Sequence, residues 1–213
     1  MRKLSNRGFR RKTGKFPSVK SGKMVLHEFG NELSYLYHLE HDREVLCYTH
    51  QPLTLHYKLN GKKRRYTPDY LVIMKNYEKH IKEVKPEKKV ARYMEQFQLI
   101  EQILKEKGFI FSVVTDTFIK QEPRLYNLKF LHRYYRIPIR QEAIDAVNVY
   151  FGTIDGPVII DEAKRALGQM GVLINEFYAM MYHGIIGFDM HSKIEDWSFV
   201  YIEKPHTAEP AKE

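Results

Sequence analysis

Three residues have types and spacing suited to one reaction. Asp69 follows Pro68 in the run Arg64-Arg65-Tyr66-Thr67-Pro68-Asp69-Tyr70-Leu71-Val72-Ile73-Met74, and Glu83 and Lys85 flank Val84 in His80-Ile81-Lys82-Glu83-Val84-Lys85-Pro86. Both runs are β-rich, and Lys75-Asn76-Tyr77-Glu78-Lys79 between them has the composition of a hairpin connection. Strand side chains alternate between faces, so Glu83 and Lys85 share one face and Val84 points to the other. Proline is tolerated at the first position of a strand, which puts Asp69 at the strand mouth. The hairpin then brings Asp69 beside Glu83. Two carboxylates and an ammonium converging on one small volume suit phosphodiester hydrolysis. Magnesium takes oxygen ligands, usually one or two carboxylates with waters and substrate phosphate. It makes hydroxide available near neutral pH and polarises the phosphoryl oxygen. A lysine can orient the attacking water or stabilise charge on the phosphate. The same spacing in a lysine-rich chain also fits a solvated hairpin with surface charges, so the surrounding elements must decide.

Those elements begin with a basic arm, residues 1–24. Residues 1–23 hold nine Lys/Arg and no acid, interleaved with Ser, Gly, Thr and Pro. This predicts a flexible segment that lies along phosphates through Arg10, Arg11 and Lys12, or a solubilising tail. From Val25 to Leu39, Leu26, Phe29, Leu33, Leu36 and Tyr37 recur at helical spacing, and Glu28 and Glu32 stack on one face of that helix. Leu53, Leu55 and Tyr57 alternate with polar residues, Asn60-Gly61 supplies a turn, and Arg64 to Met74 answers as the next strand. Lys88 to Lys107 reads as a long amphipathic helix ended by Gly108. Phe109 to Thr115 is then a buried strand, parallel to a hairpin strand through that helix. The outcome is an α/β fold, a mixed sheet with flanking helices. The histidines, His27, His38, His41, His50 and His56, have no spacing that demands a metal site, and Cys47 reads as a small buried residue.

The order and spacing of these motifs are similar to a known family. Asp69, Glu83-Val84-Lys85 and a helical carboxylate resemble the PD-(D/E)xK nuclease superfamily. The helix with Glu28 and Glu32, Leu39-Glu40-x-Asp42, Gln51-Pro52, Tyr66-Thr67-Pro68-Asp69-Tyr70-Leu71-Val72, Glu83-Val84-Lys85-Pro86 and Asn127-Leu128-x-x-Leu131-x-x-Tyr134 resemble the TnsA family over about residues 26–135. That family supplies the endonuclease subunit of heteromeric cut-and-paste transposases. The resemblance implies a restriction-endonuclease-like fold and a hydrolase that cuts the 5′ side of transposon ends in DNA transposition. It implies Asp69, Glu83 and Glu32 as Mg2+ ligands, with Mn2+ substituting, and Lys85 as the residue that assists the water. Glu28 stands in reserve for Glu32. It also implies a DDE-type transposase and an AAA+ ATPase as partners, and a cytoplasmic, nucleoid-associated location in a bacterium.

Charge divides the chain. The formal total is +9. Residues 141–213 hold five Lys/Arg against twelve Asp/Glu, so residues 1–140 carry a net of about +16. Besides the arm, Arg64, Arg65, Arg133 and Arg136 are candidate DNA contacts. Residues 25–122 form the expected endonuclease domain, and 123–140 a basic aromatic linker helix. Residues 141–204 have the order helix, helix, turn, helix, hairpin, which predicts a winged-helix-like domain, and 205–213 a tail. Its third helix, Val172 to Tyr182, has no Lys or Arg and carries Glu176, which favours protein docking over groove reading. No Gly-x-x-x-x-Gly-Lys-[Ser/Thr] loop or dinucleotide fingerprint occurs, no apolar run reaches the length of a membrane span, and no apolar signal segment follows the basic N-terminus. Two other functions fit the same residues: an autonomous restriction or repair nuclease, and a non-catalytic DNA-binding scaffold.

Overall fold

In the computed structural model, residues 13–28 and 30–202 are described. They fall into two compact units, divided between Gln121 and Glu122.

The first unit opens on a β-hairpin, β1 (Thr13–Ser18) and β2 (Lys23–Glu28), antiparallel with Phe16 opposite Val25. The flexible arm expected over 1–24 is therefore corrected from residue 13 onward. Residues 13–24 hold three lysines and no acid, but Phe16 and Val25 are buried, and Ser18 donates a 2.5 Å hydrogen bond to the buried Glu40. Glu40 also accepts from Tyr48 and from the Val19 N–H, so its charge is satisfied by three donors.

The expected helix from Val25 to Leu39 is corrected as well. Gly30, at φ 98°, separates β2 from α1 (Asn31–His41). A positive φ is cheap only for glycine, so the chain turns there. Glu28 thus ends a strand, and Glu32 sits in the first turn of α1, where a carboxylate faces the positive end of the helix dipole.

β3 (Val45–His50) follows, then β4 (Leu55–Leu59) and β5 (Lys62–Tyr66), paired across the Asn60-Gly61 turn as a separate two-stranded ribbon. β6 (Tyr70–Met74) and β7 (Lys79–Lys85) form the central hairpin. The single strand expected from Arg64 to Met74 is broken into β5 and β6, with Pro68 in the gap, because proline cannot donate to a ladder. α2 (Glu87–Val90), a 3-10 turn (Ala91–Tyr93) and α3 (Met94–Lys105) lead to β8 (Ile110–Thr115) and α4 (Asp116–Ile119). The main sheet has order β3-β6-β7-β8, with β7 and β8 parallel and the other pairs antiparallel.

Two cores sandwich this sheet. Tyr35, Leu36 and Leu39 of α1 pack on Tyr48, Tyr70, Val72 and Val84. Phe97, Ile100 and Leu104 of α3 pack with Ile81, Tyr66 and Leu55. Each such side chain stabilises by roughly 1.5–3 kcal/mol on burial. A mixed sheet with helices on both faces fits a restriction-endonuclease-like fold.

The second unit contains α5 (Arg124–Leu131), α6 (Gln141–Gly152), β9 (Val158–Ile159), α7 (Ile160–Gln169), α8 (Ile174–His183), β10 (Gly187–Phe188) and β11 (Phe199–Tyr201). The short strands form a sheet of order β10-β11-β9. The segment expected as a linker helix belongs to this unit's core: Leu131 is buried with Phe177 and Met180, and Phe130 and Tyr134 pack around them. Its aromatics find their partners in the later helices. No helix among the described residues is long and apolar enough to cross a membrane.

Candidate active site

The β6-β7 hairpin places the acidic pair. Its register sets Tyr70 opposite Lys82 and Leu71 opposite Ile81. One further step puts Asp69 opposite Glu83. The backbone N–H of Val84 donates to Asp69 Oδ2 at 2.8 Å, and Oδ1 takes no hydrogen bond among the described residues. Along β7, Ile81, Glu83 and Lys85 share one face. Ile81 is covered by α3, whereas Glu83 and Lys85 come later, where the strand runs out from under that helix into a cleft.

Glu83 is 4% exposed yet fully engaged. Tyr66 donates its hydroxyl to Oε2 at 2.8 Å, and Lys85 Nζ stands 2.5 Å from Oε1. Burial pushes the Tyr66 phenol far up, and the Glu83 charge pushes it further, so it remains a donor at any working pH. Burial alone would lower the Lys85 ammonium, but Glu83 and Asp69 outweigh it and hold Lys85 above its ordinary value. Lys85 also lies 5.2 Å from the Tyr93 ring centroid, a cation over an aromatic face. Burial raises the Asp69 carboxyl well above the usual range, and the charges of Glu83 and then Glu32 raise it further.

Glu28, Glu32, Asp69, Glu83 and Lys85 all line the same cleft of about 520 Å3. Glu32 Oε2 accepts the Glu28 N–H at 2.7 Å, tying the start of α1 to the end of β2. Of the two glutamates, Glu32 is the one whose charge weighs on Asp69; Glu28 acts instead on His50. His50 Nε2 lies 4.0 Å from Glu32, but burial pushes its imidazole down to about 4, so the ring is neutral near pH 7.

The chemistry of this donor set fits a divalent cation. The charges of Glu83 and Glu32 add to burial in making Asp69 costly to ionise, and a cation would relieve that cost. Among the described residues no three acidic, His or Cys side chains already form a cage. Magnesium would not require one, since it takes one or two carboxylates with water and phosphate, and Asp69 and Glu83 are two carboxylates that could serve.

The other expected contacts are placed differently. Arg65 lines the cleft and Arg64 does not. Arg133 and Arg136 are exposed in the second unit, stacked on Phe130 and Tyr135 at 4.8 and 5.1 Å. Arg10, Arg11 and Lys12 lie outside the described residues, as does the tail 205–213. Gln96 reaches the cleft and Gln98 does not. Sequence reasoning missed Tyr66 as the partner of Glu83; its one signal is its place just before Thr67-Pro68-Asp69. Gln51, quoted with Pro52 in the family resemblance but given no role there, lines the cleft at φ 47° and donates its N–H to the Asp69 carbonyl. A non-glycine residue held there costs on the order of 1 kcal/mol, and such strain clusters at functional sites.

Residues 42–116 match the family described as TnsA-like endonuclease N terminal. The matched segment is about a third of the chain and is similar to a TnsA-type endonuclease domain. The match contains Asp69, Glu83 and Lys85, and Glu32 precedes it. It is narrower than the resemblance over about residues 26–135. No curated protein matches the chain.

Glu176 changes meaning in the structure. It is not a surface acid on α8: at 2% exposure it is buried and held by Arg140, at 2.7 Å, and by the Leu173 N–H. The Arg140 hydrogen bonds pull its carboxyl down to about 2. It therefore carries no argument against DNA; the lack of Lys or Arg from Val172 to Tyr182 still does.

Proposed function

We propose that this chain is a Mg2+-dependent DNA endonuclease that cuts the 5′ side of transposon ends, beside a DDE-type transposase and an AAA+ regulator. The observation that carries this reading is the meeting of Asp69, Glu83 and Lys85 in one cleft inside a TnsA-type domain. Asp69 and Glu83, with Glu32 from α1, would hold the ion; Mn2+ would fit the same oxygen donors. When bound, the ion polarises the scissile phosphate and lowers the pKa of water. Lys85 stays protonated, so it serves as a hydrogen-bond donor and positive charge rather than as a base. It orients the attacking water or stabilises the charge that builds on phosphate oxygens. Tyr66 fixes one oxygen of Glu83 and leaves the other to Lys85. The Val84 N–H fixes one oxygen of Asp69 and leaves the other open.

The second unit has the element order of a winged-helix domain, α6-β9-α7-α8-β10-β11. Its net negative charge and the lack of cations on α8 support protein docking rather than groove reading. Arg133, Arg136 and the basic residues 10–12 are proposed backbone contacts.

The test is strand cleavage of a donor plasmid carrying the transposon ends, in Mg2+, with and without the transposase and ATPase. Wild type should make 5′-strand cuts that need the partners, and Asp69→Ala should make none. Cutting by the chain alone at its own sequence would favour an autonomous nuclease. DNA binding with no cuts under any condition would favour a scaffold.

A further inference from the structure

The β4-β5 ribbon carries a charge arrangement that the fold itself does not use. Between Glu44 and Asp69 the sequence has no acid, yet it holds Lys58, Lys62, Lys63, Arg64 and Arg65. The register sets Lys58 opposite Lys63 and His56 opposite Arg65, which puts all four on one face of the ribbon. Like charges directly opposite one another destabilise a strand pair. None of Lys58, Lys63 or Arg65 makes an ion pair among the described residues, and all three are exposed. The opposite face is different. Leu55 and Tyr66 bury against Ile81 and α3, which anchors the ribbon, while Lys62 and Arg64 continue that second face outward. From this face Arg65 lines the catalytic cleft, as Tyr66 does from the opposite face, whereas Lys62 and Arg64 do not.

We infer that this face, Lys58, Lys63 and Arg65 with His56, is a β-ribbon clamp for duplex DNA that extends the active site along the backbone beside the scissile phosphate. The inference rests on the nuclease reading above. A two-stranded ribbon is narrow enough to enter the major groove. Repulsion within the face is relieved when phosphates replace the missing acids. The clamp supplies affinity and register rather than sequence reading, since ammonium groups meeting phosphates carry no base information.

The test compares two variants of equal charge in the full chain. Binding to a labelled duplex is followed by fluorescence anisotropy over a KCl series in EDTA, which prevents cleavage. Lys58→Ala/Lys63→Ala should flatten the slope of log K against log salt by about 1.8, at about 0.9 for each phosphate that is no longer neutralised, and weaken binding about tenfold at moderate salt. Lys62→Ala/Lys79→Ala removes the same charge from exposed lysines off this face and should leave most of the slope. Lys58→Arg/Lys63→Arg should retain wild-type binding. Equal losses from both alanine pairs, or no loss from the first, would overturn the clamp while leaving the nuclease reading intact. A wild-type chain that fails to bind duplex DNA would overturn both.

Discussion

Replacing Tyr66 by Phe removes one oxygen and nothing else. The ring stays in its pocket beside Leu55 and Phe97, so no cavity opens. The change deletes the 2.8 Å hydrogen bond to Glu83, a carboxylate that is 4% exposed. A hydrogen bond to a charged, buried acceptor contributes about 1.5–3 kcal/mol, so the variant should lose that much stability. For a unit the size of residues 1–121 this lowers the melting temperature by roughly 6–12 °C, at about 4 °C per kcal/mol. The same change loosens the ion site: a partner that orients a ligand carboxylate is worth about 10–100-fold in metal affinity or activity. Thermal unfolding by circular dichroism and Mn2+ titration by calorimetry read the two effects separately. Added Mn2+ should restore part of the drop in melting temperature. An unchanged melting temperature together with unchanged Mn2+ affinity would refute the idea that Tyr66 holds Glu83 in its working position.

Three further outcomes follow from the same geometry. Glu32→Gln should reduce cleavage about 10–100-fold and Glu28→Gln much less, because only Glu32 weighs on Asp69; equal losses in plasmid nicking would contradict the assignment. Because the Asp69 pKa is raised by burial and its acidic neighbours, ionising it costs the ion-free fold, so its stability contribution falls as pH rises above the ordinary carboxylate range. Divalent affinity should therefore rise with pH and each ion bound should release protons, measurable by calorimetry in buffers of different ionisation enthalpy; affinity independent of pH would contradict this. In the second unit, Glu176 is depressed to about 2, so its pair with Arg140 stabilises fully above about pH 4.5 and the contribution is lost as pH falls toward 2. Arg140→Met should flatten that acid limb and lower the melting temperature at pH 7, and an unchanged acid limb would show that the pair does not set it.

The sequence made the meeting of Asp69, Glu83 and Lys85 more legible than the elements that support it. The alternation around Glu83, Val84 and Lys85, and Pro68 at the strand mouth, sufficed to place the acidic pair, because a short hairpin fixes its own register. The parallel return through α3 followed from an apolar stripe and Gly108. The region from 13 to 41 misleads for a physical reason. Leu26, Phe29 and Leu33 fit a helical period, but Val25 alternates equally well as a strand residue, and only Gly30 at positive φ settles where the helix starts. Lysine content hides the hairpin, since Phe16, Val25 and Ser18 depend on partners far along the chain. The Tyr66–Glu83 contact, the place of Gln51 against Asp69 and the buried Glu176–Arg140 pair are illegible for the same cause: each is a tertiary contact that spacing does not specify.

The most direct measurement is the rate of strand cleavage by Lys85→Ala, set against wild type at matched DNA occupancy, on transposon-end DNA with Mg2+ and the partner proteins. Lys85 is half-buried beside Glu83, so its removal should leave the sheet folded and DNA bound. The account predicts a fall of about 100–1000-fold in the cleavage rate, as expected when a charge that stabilises the transition state is removed. Cleavage by Lys85→Ala within twofold of wild type would contradict it.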